Sequence, residues 1–450
     1  MATFDVAVGI TQKGLNATLG SLFANSTAQA KIFTQTYTKD IGGIGVSIQA
    51  TIEASPTVVM APPSDTQWQQ SYGVDGVQKT GHAPTLNTFQ VMLSKVKLTG
   101  TIAGVETSGE GELQVYAQFS LANNILNVTC LSVWLDESSW QKDGITKMIV
   151  NAIIIPFALN TINNVLNAIP FPQIPAGYTT TTFQDPIMDI TNNNELVLAT
   201  SMKSSPATNL DSYTPPPDED TYLQANLSLI NVLLAENLNN YPLKASGSSG
   251  DSAAKASAEI QGTLKTAVGK IQGTQTMVSL NITNISGYGE LSGVVTTIAK
   301  TILCPIGTAI DAMSDPKNWD KVIASFSIDY KPNPLDVPFT VKVTDTESVQ
   351  LSIGHIDSVQ IIAAPKWSGV IGSTLAAVAA GFVDLLSAIF KGQIVNDIIK
   401  SKAQNIEVWK NAQITKQIEG INITLAAEPG VALKPQGNNL IVEGFTIAFA

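Results

Sequence analysis

The segment Phe4-Asp-Val-Ala-Val-Gly-Ile-Thr-Gln-Lys-Gly-Leu-Asn-Ala-Thr-Leu-Gly-Ser-Leu-Phe23 changes its apolar period part-way. Phe4, Val6, Val8 and Ile10 alternate, as in a half-buried β-strand. From Gly14 the spacing lengthens: Leu15, Leu19, Leu22 and Phe23 fall at i, i+4, i+7 and i+8, one stripe along a helix. The chain therefore opens with a strand that feeds directly into an amphipathic helix, and the rest can be read outward from that pair.

Next come β-type runs at Ile44 to Ile52, Val91 to Ile102 and Leu113 to Leu135, separated by polar, turn-rich loops. A long helix is expected from Ile145 to Ile169, kinked at Pro156. Its residues Ile149, Ile153, Phe157, Leu159, Ile162 and Leu166 share a helical period and are expected to face inward with those of the first helix. Ile169-Pro-Phe-Pro-Gln-Ile-Pro175 cannot continue a helix. Strands at Ile187 to Ile190 and Glu195 to Leu198 follow, joined by the turn Asn192-Asn193-Asn194. Ser201 to Tyr222 holds Pro215-Pro216-Pro217 and Asp218-Glu219-Asp220, polar and stiff, and reads as a linker. The expected division is an N-terminal module 1–204, a linker 205–221 and a C-terminal module 222–450. Lys244 to Ala258, rich in Ser, Gly and Ala, is expected to be a surface loop.

The second half repeats the order of the first. Pro186 to Leu198 and Pro429 to Val442 both show apolar alternation, an Asn-rich turn and an apolar strand. Ala117-Gln-Phe-Ser-Leu121 parallels Ala324-Ser-Phe-Ser-Ile328, and the Ile145 helix has a counterpart at Gly369 to Phe390. The offset widens along the chain, so insertions separate the copies. In the second helix Leu375, Val378, Phe382 and Leu386 are expected to face the interior, with Ala376, Ala379 and Ala380 packed on the sheet.

Of the 450 residues 44% are hydrophobic and 14% charged, against about 25% charged in a typical soluble domain. A chain this long exceeds one core and suggests two domains of roughly 200 residues. The net charge is −11 with no basic run, which removes the electrostatic footprint of a nucleic-acid binder and of basic docking on anionic membranes. Gly369 to Phe390 is long enough for a bilayer of roughly 30 Å, but Asp384 lies inside it. The Ile145 to Ile169 helix carries Asn151, Asn160, Asn163, Asn164 and Asn167. Both therefore read as buried helices and not as membrane spans. The opening Met-Ala-Thr-Phe-Asp has no basic-then-apolar leader, and the expectation is cytoplasmic residence or release by a non-classical route.

Catalytic material is scarce. Cys130 and Cys304 are too few for a disulfide framework, and His82 and His355 too few for a metal or triad site. Gly247-Ser-Ser-Gly250 lacks the nucleophile-elbow spacing. Gly287-Tyr-Gly-Glu-Leu-Ser-Gly293 is one residue too long for a dinucleotide fingerprint, and Gly109-Glu-Gly-Glu-Leu113 echoes its start, which suggests a repeated strand turn. No cofactor, metal or catalytic residue is expected.

Val8-Gly-Ile-Thr-Gln-Lys-Gly-Leu15 resembles the opening strand and helix start of the bactericidal/permeability-increasing and lipopolysaccharide-binding proteins, members of the tubular lipid-binding superfamily. The duplicated strand, helix, sheet and long helix, with a proline-rich mid-chain linker, match that layout over essentially the whole length. The resemblance implies an α+β fold of two tandem modules, each a curved antiparallel sheet wrapped around a long helix, in an elongated boomerang joined by a central sheet. It also implies apolar tunnels that take acyl chains. This chain lacks the leader, the intramodule cysteine pair and the positive charge typical of the endotoxin-binding members. Bacterial relatives, including accessory proteins of clostridial neurotoxin clusters, offer a closer analogy. The expected function is non-enzymatic binding or transfer of a lipid or similar hydrophobic molecule. The alternative is an interaction or scaffold subunit of a toxin or secreted complex, with filled tunnels and a protein partner.

Overall fold

The structure is a computed structural model. It describes residues 2–122, 125–136, 149–175, 177–178, 181–216, 219–250, 255–292, 321–344, 348–355, 359–367, 376–404, 406–409, 413–442 and 445–450. Contacts divide the chain into two units. The first comprises 1–226, 343–348 and 409–450; the second comprises 227–342 and 349–408. Residues 409–450 thus pack with the first unit, because a strand within them pairs with a strand at the start of the sequence-defined second module.

The first unit begins with β1 (Val6–Thr11), which runs straight into α1 (Gln12–Ala24). Thr11 caps the helix by accepting from Gly14 N at 2.9 Å. Asn25 then caps α2 (Ser26–Lys31). A meander of long strands follows: β2 (Thr34–Ile41), β3 (Ile44–Ile52), the short β4 (Thr57–Val59), α3 (Asp65–Gln69), β5 (Thr88–Ile102), β6 (Val105–Ala122) and β7 (Ile125–Leu135). The run Leu113 to Leu135 is thus the end of β6 followed by β7. These strands form one antiparallel sheet in the order β2-β3-β5-β6-β7, with β4 beside β5. Bulges at Leu93/Val96 and Tyr116/Ala117 add twist, and the sheet is strongly curled.

The second predicted helix begins, within the described residues, as a π-helical turn Val150–Ile154 and continues as α4 (Ile155–Ala168). Pro156, which has no N–H to donate, lies at the join. Then come β8 (Ile187–Ile190), β9 (Glu195–Thr200) and β10 (Thr221–Asn226). Asn194 turns the chain between β8 and β9 with φ of 59°.

The second unit opens with α5 (Leu227–Leu238) and a second meander: β11 (Tyr241–Gly250), β12 (Lys255–Gln272), β13 (Gln275–Ser292), β14 (Lys321–Lys331), β15 (Leu335–Val343), β16 (Val349–Ile353) and β17 (Gln360–Trp367). Successive antiparallel pairs give β11-β12-β13-β14-β17, with β15 and β16 also reached from β13. Ala117 and Ala324 both stand on the fourth strand in sheet order, β2-β3-β5-β6 and β11-β12-β13-β14. The tract Lys244 to Ala258, expected as a loop, instead supplies β11 and the start of β12, paired from Tyr241 with Leu264 to Gly250 with Lys255. Its small residues serve packing: a Cβ on Gly247 would come within 2.9 Å of the Ile389 side chain. Gly109 to Leu113 and the start of Gly287 to Gly293 likewise lie within β6 and β13, not in turns. After the meander, α6 (Ala376–Ile389) passes into a π-helical stretch Phe390–Ile399, α7 (Lys400–Ala403) and β18 (Glu407–Trp409).

The C-terminal strands β19 (Gln413–Ile418), β20 (Ile421–Ala427), β21 (Lys434–Gln436), β22 (Asn439–Val442) and β23 (Phe445–Phe449) return to the first unit. There β19-β20-β23 form a small sheet, and β21-β22-β10-β1-β9-β8 form a six-stranded one. The six-stranded order reads the same outward from the β1–β10 pair: the strand that enters a helix, its outer neighbour and that neighbour's short hairpin partner. β1 was expected to be half-buried. Val6 to Ile10 are buried on both faces, because the segment after β9 covers Ala7 with Leu210 and Tyr213.

Candidate functional site

Helix α4 holds the two margins of the first curled sheet. At β7, Asn167 Oδ1 accepts from Val128 N at 2.8 Å and its Nδ2 donates to Val128 O at 2.9 Å, while Asn163 Oδ1 accepts from Cys130 N at 3.3 Å. At β2, the Phe157 ring meets Tyr37 edge-on at 6.3 Å, and Gln35 Nε2 donates to Thr161 Oγ1 at 3.4 Å. Two of the five asparagines that argued against a membrane span, Asn163 and Asn167, therefore satisfy the sheet edge. Between these ties Ile149, Ile153, Phe157, Leu159, Ile162 and Leu166 are all buried.

Helix α1 packs on β4 and β1. Leu15, Leu19 and Leu22 are buried, and Phe23 is half-buried with its ring 5.2 Å from that of Phe33. The predicted α1 and α4 residues are thus inward-facing, with the α1 stripe laid on β4 and β1 and the α4 stripe on β6 and β7. Asn16 fixes α1 to β4, accepting from Val58 N at 2.6 Å and donating to Val58 O at 3.1 Å.

In the second unit α6 touches β11, β12 and β17, again both margins of the meander. Leu386 is fully buried. It lies over Gly287, where a Cβ would stand 3.2 Å from Leu386 and 2.8 Å from Ile328, so the glycine permits the close approach. Leu375 lies outside the described residues, as do the side chains of Val378 and Phe382. Phe390 continues the row, its ring tilted against that of Tyr330 with centroids 5.6 Å apart. Tyr330 borders an open recess of about 1110 Å³, lined also by Asp329, Pro332, Asn333, Val359 and Ile362.

Burial pushes the Cys130 thiol up to about 12, which leaves it a poor nucleophile. Cys304 lies outside the described residues. His82 Nδ1 sits 2.6 Å from Asp65 Oδ2, and Asp65 Oδ1 accepts from Ala83 N at 2.9 Å. Those bonds lower the Asp65 carboxyl and raise His82, on a solvent-exposed turn. Burial lowers Lys416, whose ammonium donates to Asn167 O at the end of α4. Among the described residues no cluster of His, Cys, Asp or Glu could hold a metal ion, and no helix is long and apolar enough to cross a membrane.

Periodicity found the apolar residues of this interior. It missed Asn163, Asn167 and Asn16, because their partners are backbone groups of distant strands.

No family model matches the chain, and no curated protein matches it in sequence. Among solved structures the chain is similar to a crystal structure of lipopolysaccharide binding protein. That match has 10% identity and a TM-score of 0.34, and covers 100% of this chain and 99% of the other.

Proposed function

We propose that the chain binds lipids or similar amphiphiles, without catalysis, and that acyl chains lie along the apolar rows that α4 and α6 present inside their curled sheets. The observation that carries this reading is the helix fastened at both margins of a curled sheet, with a buried aliphatic and aromatic row along it. Such an interior offers grip to an apolar chain. The recess beside Tyr330 serves as the mouth in the second unit, since that ring both borders it and lies 5.6 Å from Phe390.

The repeating unit of this function is the sequence module, 1–204 and 222–450 with 205–221 between them. The matching order of the two meanders and the symmetric order of the six-stranded sheet support that division. Because β10 pairs with both β1 and β22, separate halves cut between Ser204 and Thr221 should each keep secondary structure but lose part of this sheet.

Native mass spectrometry of the purified chain, followed by organic extraction, tests the reading. Retained acyl species, released on extraction, are expected. Clean protein that also fails to take up added fatty acid would contradict it.

A further inference from the structure

Four buried polar side chains form a row on one face of the six-stranded sheet. Glu195 stands on β9, Tyr222 and Gln224 on β10, and Tyr213 comes from the segment that covers the sheet. Tyr222 Oη lies 3.3 Å from Glu195 Oε2, Tyr213 Oη lies 3.1 Å from Tyr222 Oη, and Gln224 Oε1 lies 2.7 Å from Tyr213 Oη. Glu195 is 5% exposed and Gln224 not at all. Gly9 makes the slot: it pairs with Tyr222, and a Cβ there would fall 2.2 Å from the ring.

Each hydroxyl has one proton, so the row must run in one direction. With Glu195 protonated, its O–H donates to Tyr222, Tyr222 to Tyr213, and Tyr213 to Gln224 Oε1. In that arrangement Gln224 Nε2 is buried without a partner, as the structure has it. With Glu195 ionised the row could persist only if every bond reversed. Tyr222 must donate to the carboxylate and Tyr213 to Tyr222, and Gln224 must turn its amide to donate to Tyr213. The charge is then buried, at a position 5% exposed, with one hydroxyl donor at 3.3 Å.

We propose that this row is a proton-operated latch: protonated Glu195 holds the covering segment onto the sheet through Tyr213, and its ionisation releases that segment. Tyr213 is a suitable anchor because its ring also packs 5.6 Å from Phe4. Backbone bonds between Thr3 and Asn209, 2.8 Å in each direction, tie the same segment. Other ionisable groups face this side of the sheet. Asp189 is on β8 beside Asp211 of the covering segment, Lys434 is on β21 opposite Ile441, and the Lys13–Asp220 pair lies at the end of β1.

Burial first, against a smaller opposing effect of the Tyr222 hydrogen bond, raises the Glu195 carboxyl to about 7. The closed form therefore favours the protonated acid. Its advantage is complete below the ordinary carboxylate range, declines as pH rises, and is exhausted above about 7.

Hydrogen exchange of the full chain between about pH 5 and about pH 8, corrected for intrinsic rates, tests the latch. The amides of Asn209 and Tyr213 should open about tenfold more per pH unit up to about 7 and level off above it. Glu195→Gln should flatten that profile at the slow-exchanging level, and Asp189→Asn should leave the slope intact. A flat profile in the parent chain, or an unchanged slope in Glu195→Gln, would overturn the proposal. If Glu195→Gln does not fold, the carboxyl-carbon NMR titration of Glu195 in the parent chain decides. A midpoint near 7 that coincides with the exchange profile supports the latch, and one in the ordinary carboxylate range overturns it.

Discussion

The two strand-to-helix entries, β1 into α1 and β10 into α5, solve one docking problem by different means. Asn16 stands as far beyond the end of β1 as Asn231 does beyond the end of β10, and both reach the backbone of a nearby strand. In the first unit that strand is β4, whose Val58 offers both N–H and C=O to Asn16. In the second it is the long β12, where Asn231 Oδ1 takes only Gly269 N, at 2.6 Å, and Asn239 Oδ1 takes Ala267 N at 2.9 Å. Gly269 is small because a Cβ there would come 3.2 Å from Asn231 Oδ1. Val58 gives both groups from the short β4, which pairs only with β5, whereas Ala267 and Gly269 lie on the stretch of β12 beyond its last pairing with β11 at Leu264 and give one N–H each. The entries differ again in the sheet, where Gly9 has no side chain and its partner Tyr222 fills the space.

Breaking the comparison at its tightest point should have the largest effect. Gly9→Ala drives a methyl group into the buried Tyr222 ring, and a loss of about 3 kcal/mol in urea unfolding is expected; a loss below about 1 kcal/mol would mean that the ring can move aside. Asn16→Ala strands both backbone groups of Val58 and should cost about 2 kcal/mol by the same measurement. Asn231→Ala removes one bond and should cost about 1 kcal/mol. Equal losses at the two asparagines would erase the distinction between the entries.

The smallest effect belongs to the exposed Asp65–His82 pair. The depressed Asp65 carboxyl contributes stability above its ordinary range, lost as pH falls through its folded value. His82, raised by Asp65, contributes below the ordinary imidazole range, and that contribution is lost as pH rises through its raised value. Asp65→Asn should therefore flatten a shallow rise and fall of melting temperature between those limits. An unchanged melting profile would show that the pair contributes nothing measurable.

Much of the apolar framework was legible because it follows simple periods. Leu15, Leu19 and Leu22 lie on the predicted face of α1, Ile44–Ile52 is a strand with the predicted ends, and the Asn192 to Asn194 turn joins β8 to β9. Features that depend on distant partners were not legible. Lys244 to Ala258 looked like a surface loop because Ser and Gly carry no pattern of their own, yet its first part pairs residue by residue with β12 and Gly247 admits Ile389. Tyr213 sits in a proline-rich stretch that reads as solvated, and Glu195 opens an apolar strand. Only the fold brings the two into one row. An aromatic inside a polar linker and an acid at the head of a buried strand were the available signals.

The central claim concerns the row along α4 and its counterpart on α6, and uptake of a fluorescent fatty acid by the full chain tests it most directly. Ile162→Trp and Leu386→Trp add bulk at buried positions of the two rows, each at a cost of about 1–3 kcal/mol that the fold should survive. The account predicts that the parent chain takes up the probe, that each substitution lowers the amount bound, and that the double variant abolishes uptake while keeping the parent circular dichroism spectrum. Undiminished uptake in the folded double variant, or none in the parent chain, would contradict it.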